Sequence, residues 1–196
     1  MTKTLKIAVG LMTAAAMNCQ AQGLGGSLAT KPTPSESTAR KTASEPATAK
    51  PGIAEENSTQ KIEAAGIQFL VPKGWKLEEK PGPAGPAYRV ISKDGATFGF
   101  LTVQEEDLQS RIAAIHEAVK KAAKDFKQGP EQTSTVNGLE YVHQADTMDG
   151  GAAIQDVGYV KGTLPVILVQ LGDAAPMKAR AAELQAILES VKKSEN

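Results

Sequence analysis

The stretch LPVILVQL, residues 164–171, constrains this chain more than any other. Side chains alternate along a strand, so Ile167, Val169 and Leu171 share one face while Val166 and Leu168 share the other. A strand that is apolar on both faces belongs in the middle of a sheet with packing layers above and below it. What lies around it in the sequence therefore has to supply both layers.

The flanking patterns do this. In GIQFLV, Ile67, Phe69 and Val71 alternate on one face of a strand that Pro72 ends. Residues 78–87, EEKPGPAGPA, show no periodicity and read as a Pro/Gly loop. YRVISKDGATFGFLTVQ reads as two strands turning at Asp94-Gly95, and TSTVNGLEYVHQADTM as two strands turning at Asn137-Gly138. DGG at 149–151 marks another turn, before the strand AAIQDVGYV. Leu108, Ile112, Ile115, Val119, Ala122 and Phe126 recur at steps of three or four, predicting a helix with Asp107 as N-cap and Gly129-Pro130 as its stop. A closing helix carries Met177, Ala181, Leu184, Leu188 and Val191 on one stripe, with Pro176 in its first turn. Hairpin turns rather than crossovers predict an α+β domain, an α-β-α sandwich around a central, mostly antiparallel sheet. It spans residues 61–196.

The landmarks IQFLVPKGW, SKDG, the long helix, VNGLEY and LQAILESVKK together resemble the PsbP-like fold family over roughly residues 62–193. That family includes extrinsic proteins of photosystem II, DcrB-type periplasmic proteins and lipoproteins, and a Ran-binding nuclear import factor. The resemblance implies the same sandwich and a non-enzymatic, protein-binding or stabilising role. The matched positions are packing and turn positions, so no family site residue transfers. Nothing in the chain points to a manganese cluster.

The N-terminus reads as an export signal over residues 1–21. Lys3 and Lys6 precede an apolar run of about eleven residues, Ile7 to Met17, short of the roughly 20 needed to span a bilayer. Cleavage after Ala21 leaves Gln22 first and a periplasmic or secreted protein. The alternative is a membrane-anchored lipoprotein acylated at Cys19, although AMNC lacks the usual Leu and has Asn18 where a small residue is customary. Cys19 is the only cysteine, so cleavage after Ala21 leaves no disulfide, thiol nucleophile or thiolate metal site. Residues 22–60 are rich in Gly, Pro, Ser, Thr and Ala and contain no aromatic residue, which predicts a disordered linker.

Twenty-two basic residues balance 22 acidic ones. The basic run at Lys120, Lys121 and Lys124 has Glu117 and Asp125 beside it and no aromatic platform, so it reads as a solvated helix face rather than a nucleic-acid surface. HEAVK, from His116, fails as a zinc helix because the second imidazole would fall at Lys120. Asp146 and Asp149 in DTMDGG lack calcium-loop spacing. GLGGS has no strand before it and cannot cradle a phosphate. No serine sits in a G-x-S-x-G elbow.

Three residues remain as candidate partner or ligand contacts: Trp75, the only tryptophan, beside the 78–87 loop, and Tyr141 and His143 on one strand face. Trp75 also reads as a plug of the sheet edge, and His143 as a structural histidine. No catalytic, cofactor-binding or metal-ligating residue is assigned, and no cofactor is expected. The sequence predicts an exported, non-enzymatic module that binds another envelope or secreted protein. A periplasmic small-ligand or metal-binding protein is the alternative. A hydrolase, requiring a histidine hydrogen-bonded to a serine and an acid, comes last.

Overall fold

The computed structural model describes residues 52–194. The signal segment, Cys19 and most of the 22–60 linker lie outside the described residues. Eight antiparallel strands form one sheet, in the order β1 (Gly52–Ile53), β4 (Lys76–Gly82), β5 (Gly85–Ile91), β6 (Thr97–Thr102), β10 (Pro165–Asp173), β9 (Ala153–Lys161), β8 (Leu139–Met148) and β7 (Glu131–Val136). A second sheet of three strands, β11 (Lys192–Lys193), β3 (Ile67–Val71) and β2 (Ser58–Ile62), packs on one face. The helices are α1 (Leu108–Ala122), α2 (Ala174–Ala179) and α3 (Ala181–Ser190).

The doubly apolar strand is β10, and it lies between β6 and β9 as its pattern requires. Its Ile167, Val169 and Leu171 pack in the cluster that holds Leu108, Ile115 and Val119 of α1. Its Val166 and Leu168 join the opposite cluster, with Phe69 of β3 and Leu184, Ile187 and Leu188 of α3. The layers are thus α1, the large sheet, and a mixed layer of the small sheet with α2 and α3, an α+β sandwich. Phe69 of the small sheet stacks on Phe100 of the large one, ring centroids 3.7 Å apart.

Several expectations are corrected. Ordered elements begin before residue 61: β1 pairs with β4 and β2 with β3, so the predicted linker to residue 60 runs too far. The strand GIQFLV belongs to the small sheet, not the large one. The 78–87 loop is a hairpin of β4 and β5, in which Pro81 faces Pro86 and Gly82 faces Gly85. Its ladder is set by buried Leu77, Tyr88 and Val90 and by an ion pair between Glu78 and Arg89, while its prolines gather at the turn end. Helix α1 stops at Ala122, ahead of Gly129-Pro130, because Ala123 is extended and Lys127 bridges to Thr147 of β8. Phe126 packs on the α1-side cluster from beyond the helix end. Asp107 makes no side-chain cap; instead Ser110 Oγ donates to the Asp107 carbonyl at 2.8 Å. The closing helix breaks at Arg180, whose guanidinium reaches Asp94 and Glu183.

Candidate functional site

On β8, Leu139, Tyr141, His143 and Ala145 face the α3 side, and the register carries that face to Ile154, Asp156, Gly158 and Val160 on β9 and to Gln170 on β10. Helices α2 and α3 cover only part of it. Under them the face is apolar, with Tyr141, Val160 and Leu168 buried. Past their edge it turns polar and opens as a groove of about 930 Å³. His143, Asp156 and Gln170 form its floor, Ser134 lies toward the β7 edge, and Lys178 and Glu189 stand on its helical wall.

The floor has a defined internal geometry. His143 Nδ1 is 3.1 Å from each carboxylate oxygen of Asp156. The carboxylate accepts from Nδ1–H and fixes the orientation of the ring. The Tyr141 ring stacks on the imidazole with centroids 4.6 Å apart and planes 8° apart. Burial, then the charge of Asp156 and a hydrogen bond to it, raise the pKa of the Tyr141 phenol far above its ordinary 10.0. At the site Tyr141 is therefore a neutral donor. The Tyr141 ring and the His143 Cβ lie against Gly158, where an added Cβ would meet Tyr141 Cε2 and His143 Cβ at 2.6 Å.

Tyr141 and His143 are thus brought together on one concave surface, and Trp75 is not. Trp75 is 2% exposed within the core and does not line the groove. Its backbone closes the turn after β3, accepting from Ala54 N at 2.9 Å and donating to the Pro72 carbonyl at 3.1 Å. The sequence marks Ser134 only as a turn or surface residue and gives no signal at Gln170, Lys178 or Glu189. In the sequence Asp156 is only a polar residue inside the strand AAIQDVGYV, and nothing local shows that it meets His143. Half of a hydrolytic arrangement is present in the His143–Asp156 pair. Ser134 lines the same groove, but among the described residues no hydrogen bond joins it to His143. No group of three His, Cys, Asp or Glu side chains within reach of one metal ion occurs among the described residues.

No family model matches this sequence, and no curated protein matches it. The structure is similar to the solution structure of cyanobacterial PsbP (CyanoP) from Synechocystis, with a TM-score of 0.52 at 10% identity, over 71% of this chain and 93% of that one. A Pseudomonas aeruginosa protein of unknown function matches at a TM-score of 0.40 and 12% identity, over 72% of this chain and 99% of that one, too loosely to argue from. The domain has the PsbP-like fold that its landmarks implied. At 10% identity the likeness is one of fold.

Proposed function

We propose that this chain is an exported, non-enzymatic module that holds a segment of another envelope or secreted protein in the groove beside α2 and α3. The observation that carries the reading is the groove itself. Its open shape, and its change from an apolar wall of Met177, Leu184 and Leu188 to a polar floor of His143, Asp156 and Gln170, suit a side-chain-bearing chain segment. The hairpin that replaces the 78–87 loop no longer offers a flexible contact, so the contact moves from Trp75 to this groove. His143 is engaged by the acid partner Asp156 on the floor of the groove, a fixed polar contact for a bound segment.

The test places a photocross-linking residue at Gln185 on the groove wall, or at Lys93 in the β5–β6 turn, in the full chain expressed in its native envelope. A discrete adduct from position 185 that is absent from position 93, and lost on His143→Ala with Asp156→Ala, is the expected result. Equal labelling from both positions, or none from 185, overturns the reading. Intact-mass measurement of the same material identifies the mature N-terminus as Gln22 or acylated Cys19.

The convergence of Tyr141 and His143 favours a second reading, a small polar ligand on the groove floor. Native mass spectrometry of the purified protein would then show a non-peptide mass that His143→Ala removes.

A further inference from the structure

On the opposite face of the sheet, Asp146 of β8 and Gln155 of β9 are direct cross-strand partners beneath α1. The Asp146 side chain is wholly buried, and Gln155 is 1% exposed. From α1, His116 Nε2 comes within 3.4 Å of Asp146 Oδ2, and the Gln155 side-chain amide approaches the same oxygen at 3.2 Å. Two atoms of this cluster, His116 Nε2 and Gln155 Oε1, are buried without a hydrogen-bond partner. A buried polar atom left unpaired is costly, and the unpaired His116 Nε2 points to an absent third party.

The distances discriminate between candidates. The contact of His116 with Asp146 is too poorly aligned to count as a hydrogen bond, yet 3.4 Å is close to the separation of two ligands on one tetrahedral ion with bonds of about 2.1 Å. Turning the Gln155 amide by half a rotation brings Oε1 to the position its nitrogen now holds, 3.2 Å from Asp146 Oδ2, again a ligand–ligand spacing. A water hydrogen-bonded to both groups would hold them well beyond 3.4 Å apart, so the spacing fits an ion rather than a water.

We infer that a divalent transition-metal ion binds between α1 and the sheet, held by His116 Nε2, Asp146 Oδ2 and the Gln155 side-chain oxygen. Gly129 N–H donates to Asp146 Oδ1 at 3.2 Å and fixes the carboxylate from behind, as outer-shell donors do. His116 is 14% exposed, so ion and water enter on its side. One imidazole with two oxygens suits zinc or cobalt better than calcium or magnesium, which favour all-oxygen sites. The helix i+4 partner that Lys120 denies to His116 is replaced by a ligand from the sheet. The site lies on the far side of the sheet from the groove and stands or falls independently of it.

The full chain, freed of metal by chelation and dialysed, is titrated with cobalt(II) chloride and separately with zinc sulfate. One equivalent of cobalt is expected to give visible d–d absorption, and zinc to raise Tm. His116→Gln should weaken binding by about tenfold or more, while His143→Ala leaves it intact. Gln155→Glu sets two carboxylates together and should lower the Tm of the metal-free protein; zinc should restore it by more than it raises the parent protein. Absence of both cobalt absorption and a zinc-dependent Tm shift overturns the inference. So does binding that survives His116→Gln or vanishes in His143→Ala, or a Gln155→Glu protein that zinc does not rescue.

Discussion

His143 and Asp156 meet on a diagonal of the β8–β9 ladder, the imidazole Nδ1 3.1 Å from both carboxylate oxygens. The residue directly opposite His143 is Gly158, and Asp156 sits one same-face position further along β9. The missing side chain at 158 is what lets the Tyr141 ring and the His143 Cβ lie against the ladder and the pair form.

Gly158→Ala should therefore damage both the fold and the groove. The added methyl would stand 2.6 Å from His143 Cβ, Tyr141 Cε2 and the Val142 carbonyl oxygen, and the backbone oxygen cannot rotate away. A loss of about 1–3 kcal/mol is expected in urea unfolding, with displaced His143 and Tyr141 resonances in a two-dimensional NMR spectrum. Unchanged resonances would contradict this packing.

Tyr141 gives a pH prediction. Its folded pKa lies above the 10.0 of an exposed tyrosine, so above pH 10 the unfolded chain releases a proton that the folded one retains. Stability is fully present below that pH and falls as pH rises beyond it. Tyr141→Phe should flatten the alkaline limb of a Tm-against-pH curve while leaving the neutral limb sloped as before. An identical alkaline limb in the variant would show that the phenol is not held protonated.

Trp75→Ala should cost about 3–5 kcal/mol, a large share of the total for a domain of this size, because it empties a wholly packed site. Trp75→Phe should cost less, and neither should alter the Gln185 cross-link once the protein is folded. Emission from the sole tryptophan should be blue-shifted in the native state and move to the red on unfolding. Native emission at the wavelength of exposed indole would contradict the burial.

Asn137 joins the β7–β8 turn to the end of α3. Its φ of +47° with Gly138 at +78° makes the tight hairpin turn, and its amide donates to the Glu189 carbonyl and, at 3.0 Å, to that of Val191. Asn137→Gly keeps the turn and removes the clamp, so faster amide exchange should be confined to 189–194. Asn137→Ala should add turn strain, for a total of about 1–3 kcal/mol. Unchanged exchange at 189–194 in both variants would show that the clamp carries nothing.

Local chemistry made several elements readable without a structure. Turn residues at Asp94-Gly95 and Asn137-Gly138 need only their own backbone conformation, and the alternation in 164–171 needs only the two-residue repeat of a strand. These sufficed for the antiparallel sandwich, the central position of β10 and the packing of Tyr141 and His143 on one face. The failures have an equally definite cause. The β4–β5 hairpin is held by Leu77, Tyr88 and Val90 reaching a distant core, which its Pro/Gly composition conceals. The end of α1 is set by the Lys127–Thr147 bridge, made to a strand far along the chain. The sites depend on relations between strands and layers. Asp156 finds His143 only through the β8–β9 register, and His116 meets Asp146 and Gln155 only because α1 docks on that ladder. Alternation and turn preference are energies between near neighbours, already present in the sequence. Register and layer packing are settled by burial summed over the whole sheet, which exists only once the chain has folded.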